Sequence, residues 1–354
     1  MSVIRLGIIG TGNIGREHIK GFRDTEGAEV AAVTDAHLPG AERAAREFGI
    51  PQVHVNAGEL IKDESLDAVV IGVPNKYHAE LAVAAMDHGK HVLLEKPMAV
   101  SLADAQRIVH AQRRTGKIVM ISHQLRWHWT VMAVKAQAER GAFGRIYHAK
   151  VAWLRRKGIP GWGTWFTRKE ESGGGPLIDI GVHMLDLALH LMGDVKPVSV
   201  FGATYAEFGP RKKGIGTWGT PNWDGYFDVE DLATAFVRME DGSTLTLDVS
   251  WAAHTDAEQS HAIHLFGSEG GASIRGNKVK FLTEQFDLPM EAELSAPSHD
   301  EGARLRMNRH FLACIREGKQ PLTHVMTGYT NNLILDAIYR SSETGKPIEL
   351  DWSL

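Results

Sequence analysis

The chain has 354 residues, 43% hydrophobic and 23% charged, with a formal net charge of −4. That length exceeds the roughly 250–300 residues at which one core stops growing, so two domains are expected, and the composition is that of a globular protein. Acidic and basic residues are interspersed with no basic stripe, and no apolar run reaches the ~18 residues needed to span a bilayer, so neither nucleic acid nor a membrane is an expected partner.

The opening segment, Met1–Gly10, is too short in its apolar part and too glycine-interrupted for a signal peptide, and the expected location is the cytoplasm. Short apolar runs at Val3–Ile9, Glu29–Thr34, Ala68–Val73, His91–Leu94 and Ile118–Ile121 read as buried strands. Amphipathic stretches between them end near Gly49, Gly89 and Gly116, at helix-stop positions. This alternation predicts a doubly wound parallel α/β sheet over residues 1–122. From 123 to 354 the texture changes to longer alternating segments. In Thr244–Trp251, Leu245, Leu247, Val249 and Trp251 face one way and the polar residues the other. Gly144–Leu154, Val198–Glu207, Leu232–Glu240, His261–Phe266 and Lys278–Leu282 read as further strands of a large, mostly antiparallel sheet. A helix over Pro176–Met192 interrupts them, Phe208–Asp228 is a long loop, and helices over Glu301–Glu317 and Thr327–Ser342 close an α+β second domain. The only cysteine, Cys314, reads as a small core residue in a helix, so neither an intrachain disulfide nor a thiolate-rich zinc site is available.

Gly10-Thr-Gly12-Asn-Ile-Gly15 follows a predicted strand and opens a predicted helix, the setting that gives G-x-G-x-x-G its meaning. Gly10 permits the tight turn, Gly12 the close approach of a pyrophosphate, and Gly15 the helix–strand contact, while the helix N-terminus presents N–H groups to phosphate. Asp35, at the end of the second strand, is placed to bond the adenine ribose hydroxyls. A 2′-phosphate there would meet a like charge, costing about 1–4 kcal/mol, and no Lys or Arg follows at once, so the expected cofactor is NAD.

Asn75 and His78, after the third main strand, and Glu95-Lys96-Pro97, after the next, lie at strand carboxyl ends, where open α/β sheets bind ligands. Lys96 would set a positive charge close to the nicotinamide, able to stabilise a developing alkoxide, with Pro97 fixing its direction. Further on, Gly173-Gly-Gly-Pro-Leu-Ile-Asp179 leads to His183, so Asp179 and His183 share one helix face at i and i+4. Taking a hydride from a secondary alcohol also requires taking its proton, and a histidine titrating near neutrality is the natural base. Asp186 and His190 extend the stripe as helix-packing polar groups, and no metal is expected. All nine tryptophans follow residue 126. Trp162 and Trp165, in the loop before this helix and near Arg155 and Arg156, suit a polyhydroxylated ring with apolar faces and a polar rim.

These motifs, in this order, resemble the Gfo/Idh/MocA family of sugar and inositol oxidoreductases over nearly the whole chain. The resemblance implies a Rossmann domain followed by a domain on a large open sheet, through which members form dimers or tetramers. It implies a catalytic set of Lys96, Asp179 and His183, with His183 as acid/base. It places Asn13, Ile14, Pro74, Asn75, His78 and Glu95 with the glycine loop, Asp35 and Lys96 around the cofactor. His123, Arg155 and Trp165 join the catalytic set around a sugar or cyclitol substrate. The segments Arg155–Gly163 and Gly173–Asp186 are similar to the glucoside 3-dehydrogenase and scyllo-inositol dehydrogenase branch. An NAD-dependent glycosidase working through transient oxidation at C3, or a non-catalytic NAD-sensing regulator, are the competing readings.

Overall fold

The computed structural model describes residues 3–354. The chain divides into two compact units, one running to Gln124 and taking in Glu301–Asn332, the other comprising Leu125–Asp300 and Leu333–Leu354.

The first unit carries a six-stranded parallel sheet of β1 (Ile4–Ile9), β2 (Ala28–Thr34), β3 (Gln52–Val53), β4 (Ala68–Ile71), β5 (His91–Leu94) and β6 (Val119–Ile121), in the order β3-β2-β1-β4-β5-β6. Every residue of β4 is buried, which is why its sequence is a continuous apolar run with no alternation. Helices α1 (Asn13–Arg23), α2 (Leu38–Phe48), α3 (Ala57–Lys62), α4 (His78–Asp87) and α5 (Leu102–Thr115) separate the strands. The predicted helix stops Gly49, Gly89 and Gly116 adopt φ of +67°, +78° and +65°, a region glycine enters without a Cβ penalty.

The second unit holds α6 (Trp129–Glu139), β7 (Ile146–Arg155), the single turn α7 (Lys169–Ser172) and α8 (Val182–Leu191). Then come β8 (Pro197–Tyr205), β9 (Leu232–Met239), β10 (Thr244–Ser250), β11 (Gln259–Gly267), β12 (Gly271–Arg275), β13 (Lys278–Gln285) and β14 (Leu288–Leu294). With β15 (Ile348–Glu349) they form a nine-stranded sheet in the order β14-β13-β12-β11-β7-β10-β9-β8-β15. Neighbours are antiparallel except β7 and β10, which run parallel. The face predicted for β10 is the buried one: Leu245, Leu247 and Val249 lie in the core with α8, all of whose residues are buried. β12, β14 and β15 escape prediction, because β12 is short and glycine-led and most of β14 is exposed along its length. The predicted helix over Pro176–Met192 differs too: Leu177–Gly181 forms a π turn before α8 begins.

The chain end holds α9 (Ala303–Glu317) and α10 (Val325–Thr344). Residues 301–332 were expected with the second domain, yet they pack in the first unit. α9 lies against α1 at Gly21, where a Cβ would come within 2.8 Å of Asn308 and 3.1 Å of Arg304. Thr323 then stitches this segment to β6, accepting from the Ile121 N–H (2.8 Å) and donating its hydroxyl to the Ile121 carbonyl (2.6 Å). Cys314 is buried on α9.

Candidate active site

In the first unit, each glycine of the β1–α1 loop has its own reason. Gly10 has φ +96°, and a Cβ there would come 2.4 Å from the Gly72 carbonyl oxygen. At Gly15 the added carbon would come 1.9 Å from the Gly10 carbonyl oxygen. Gly12 differs: a Cβ would meet no protein atom within 4 Å, so the protein itself makes no demand for glycine there. A phosphate drawn close to the backbone does make that demand. Gly12 is also the N-cap of α1, with no side-chain cap and no acid in the first turn, so Asn13, Ile14 and Gly15 present helix-end N–H groups and the positive end of the dipole. Asp35 stands across the loop, its Oδ2 accepting from the Thr11 N–H (2.6 Å) and hydroxyl (3.1 Å), and its Oδ1 from the His37 N–H (2.8 Å). These residues fit a dinucleotide.

After β4, Pro74 leads into a short turn with Asn75 buried at its start. His78 does not line the site as expected. It is wholly buried, with Nδ1 2.8 Å from the Pro97 carbonyl oxygen and Nε2 3.0 Å from that of Val73, so it braces the two loops that carry Asn75 and Lys96. Burial lowers its pKa, with the two carbonyls working in the opposite direction. His123, expected at the substrate, is also buried, its Nε2 3.2 Å from the Asn331 amide. The Lys96–Pro97 bond is cis, and the Lys96 N–H donates to Oε2 of Glu95 (3.2 Å). Glu95 is in turn held by a residue with no sequence signal: Nε2 of His18 donates to its Oε1 at 2.7 Å, while Nη1 of Arg304 lies 3.5 Å from Nδ1 of His18. Burial alone would raise the Glu95 pKa, but the hydrogen bond and charge of His18, with Arg304 and Lys96, hold it down to about 2.

In the second unit, Asp179 sits in the π turn and His183 on the first turn of α8. Asp179 is half-buried, and its Oδ2 accepts from the indole N–H of Trp251 (3.0 Å). The buried face of β7 runs on from Ala149 and Val151 to Trp153 and Arg155, so a wall of core residues becomes the floor of a site. The Trp153 ring lies 6.3 Å from that of His183 and 5.5 Å from that of His261, and the Arg155 guanidinium lies 5.2 Å over it. The structure thus brings together Asp179, His183 and Arg155, and adds Trp153, Trp251 and His261, whose even spacing on predicted strands was the only available signal.

The glycine run before Asp179 is explained by Glu230, a second unpredicted residue. Its buried carboxylate accepts from the N–H groups of Gly175 and Leu177 (3.0 Å each) and from the Tyr339 hydroxyl (3.1 Å), capping the helix start. A Cβ at Gly174 would come 1.9 Å from the Tyr339 hydroxyl, and one at Gly175 2.0 Å from the Glu230 carbonyl oxygen. Further along α8, Asp186 receives two bonds of 2.8 Å from the buried Arg126, which also lies 3.2 Å from Nδ1 of His190. Burial, with the charges of Arg126 and Lys135, pushes the His190 pKa down to about 3. Trp162, expected beside the substrate, is instead core: it is buried, stacks on Trp223 at 5.7 Å and donates its indole N–H to the Gly209 carbonyl (2.8 Å). The loop over 208–228 folds onto it. Trp165 is half-buried against Phe166.

A glycine loop on a parallel sheet that fits a dinucleotide, with an acid–histidine pair on an aromatic-floored second unit, defines a dinucleotide-dependent oxidoreductase. Residues 4–123 match the family model described as "Oxidoreductase family, NAD-binding Rossmann fold", and residues 131–273 match that of the GFO/IDH/MocA C-terminal domain. The chain is 29% identical to D-glucoside 3-dehydrogenase of Escherichia coli (strain K12), over 99% of this chain and 98% of that protein. It is 25% identical to scyllo-inositol 2-dehydrogenase (NAD(+)) of Bacillus subtilis (strain 168), over 98% and 96%. In fold it is similar to levoglucosan dehydrogenase in complex with NADH and levoglucosan, with a TM-score of 0.90, 22% identity, and 99% and 100% of the two chains covered. The chain belongs to the Gfo/Idh/MocA oxidoreductase family, and its first unit is the family's NAD-binding Rossmann domain. Among the described residues no helix is long and apolar enough to cross a membrane.

Proposed function

We propose that the protein is a cytoplasmic enzyme that oxidises a secondary alcohol on a sugar or cyclitol ring. NAD, when bound, supplies the hydride acceptor. His183 takes the hydroxyl proton, Lys96 stabilises the negative charge developing on that oxygen, and Asp179 orients a hydroxyl or the histidine. The carrying observation is the group around Asp179 and His183: a carboxylate held by the Trp251 indole, and a histidine whose ring lies 6.3 Å from that of Trp153. A carboxylate for hydroxyls and an indole for a C–H face are what a polyhydroxylated ring requires. Trp165 contributes a further aromatic edge. Asn75, Glu95 and the β1–α1 loop hold the cofactor, and Asp35 favours NAD over NADP.

The second unit also supplies an oligomer contact in this reading. The face of its sheet opposite α8 exposes Phe201, Phe236 and Phe266, an apolar surface suited to a homodimer or tetramer.

The test is NADH formation with glucose, glucosides and the inositol isomers, in the wild type and in His183→Ala. Turnover with at least one of them is expected, and kcat should fall by about 10²–10⁴ in the variant while NAD binding persists. Release of a glycoside's leaving group without net NADH would instead identify a hydrolase, and near-normal turnover in the variant would place the base elsewhere.

A further inference from the structure

Two arginines of the second unit reach inward, Arg126 fully buried and Arg155 half-buried with its Nε out of solvent, and they are treated differently. Arg126 is matched by Asp186, with a second carboxylate, Asp194, at 3.7 Å. Arg155, the last residue of β7, has no such match. Its guanidinium forms no ion pair with a described carboxylate, and its buried Nε has no hydrogen-bond partner. The buried indole N–H of the neighbouring Trp153 also lacks an acceptor. Burial lowers the Arg155 pKa, and only the charge of Asp179 works against that. The neighbouring cation Arg156 is already occupied, donating to the carbonyls of Thr255 and Asp256 at 2.7 Å each. His261 pairs opposite Trp153 in the sheet, and burial lowers its pKa, so it adds no charge near neutrality.

The backbone makes room for this arrangement. A Cβ at Gly158 would come 2.6 Å from Cδ of Arg155 and 3.1 Å from the Trp251 carbonyl oxygen, so glycine at 158 lets the arginine stem lie across the floor of the site. A half-buried cation in no ion pair and two buried donors without acceptors, the Arg155 Nε–H and the Trp153 indole N–H, are unfavourable in the free protein. Neutral hydroxyls would satisfy the donors and leave the charge. A carboxylate or phosphate would satisfy both, with the planar guanidinium able to bond it through two N–H groups.

Resting on the reaction proposed above, we infer that the substrate carries an anionic substituent, a carboxylate or a phosphate, received by Arg155 and the Trp153 indole N–H. The anion need not be the group that reacts; it anchors the ring while His183 meets a different oxygen.

The experiment is calorimetric binding of glucose, glucuronate and glucose 6-phosphate to the full chain loaded with NADH, paired with NADH formation from the same sugars under NAD. An acid sugar should bind at least about 10-fold more tightly than glucose, the worth of one charge-assisted contact. Whichever acid wins names the carboxylate or the phosphate as the source. In Arg155→Met the ratio of acid to neutral affinity should collapse, and in Arg155→Lys it should survive in part. Raising the salt concentration should narrow it in the wild type, a readout that stands even if a variant fails to fold. Equal affinities in the wild type, or a ratio unchanged in Arg155→Met, would overturn the inference while turnover of glucose left the dehydrogenase reading intact. A clear acid preference with no NADH from any of these sugars would support the subsite and count against the reaction.

Discussion

Glu95 in the first unit and Glu230 in the second are both buried carboxylates beside a segment that carries candidate catalytic residues, and they are held in opposite ways. For both, burial is the largest influence and raises the pKa. At Glu95 it is overcome by His18, Arg304 and Lys96, and the pKa falls to about 2. At Glu230 the partners are two backbone N–H groups and the Tyr339 hydroxyl, and the pKa stays above its ordinary value. Charges outweigh desolvation where dipoles do not. One acid therefore anchors the Lys96 loop as an ion, and the other caps the helix of Asp179 and His183 by hydrogen bonding.

The sign of the pH response separates them. Glu95 has a folded pKa below the ordinary glutamate value of 4.5, so its contribution is present above pH 4.5 and is lost as pH falls toward 2. The folded pKa of Glu230 is raised, so its contribution is greatest below 4.5 and declines as pH rises through the raised value.

The largest expected effect is that of Glu95→Gln, which removes one member of a buried charge network and should cost about 3–5 kcal/mol at pH 7 in chemical denaturation. Its loss of stability between pH 5 and pH 3 should be shallower than that of the wild type; an equally steep loss would show that Glu95 is not the ion its surroundings imply. Next is Glu230→Gln, which keeps the shape and an acceptor oxygen but turns an N–H group toward a backbone N–H. It should cost about 1–2 kcal/mol and lower kcat more than it weakens NAD binding. A cost equal to that of Glu95→Gln would erase the distinction between ion and cap. Smallest is Tyr339→Phe, which removes one of three donors to Glu230 and should cost about 0.5–1.5 kcal/mol. That variant should also raise the Glu230 pKa further, so its stability deficit should shrink at pH 4 relative to pH 8.

Legibility in the sequence followed chain distance. Gly10, Gly12 and Gly15 were readable because a turn, a close approach and a helix contact are settled within a few residues of backbone. The alternation in β10 was readable because one face of a strand is buried over its whole length. The linkage of Arg304 to His18 was not, since 286 residues separate the two. Nor was the burial of Trp162, since a tryptophan after Pro-Gly reads alike on a site and under a folded loop. The π turn at Leu177–Gly181 escaped notice because Glu230 and Tyr339, which shape its approach, lie more than 50 residues away.

What the sequence alone determined is the local chemistry: the phosphate loop, the acid after the second strand, Lys96 at a strand end, and Asp179 with His183 on one helix. Short-range geometry and strand or helix periodicity are enough for each. Only the tertiary structure decided which buried groups serve as supports. It turned His78 and His123 into internal braces, brought residues 301–332 back to the first unit, and left Arg155 with its buried Nε unbonded while Arg126 was paired with Asp186. Burial and pairing depend on which distant segments meet, and the energy of a charge or a donor is set by those neighbours.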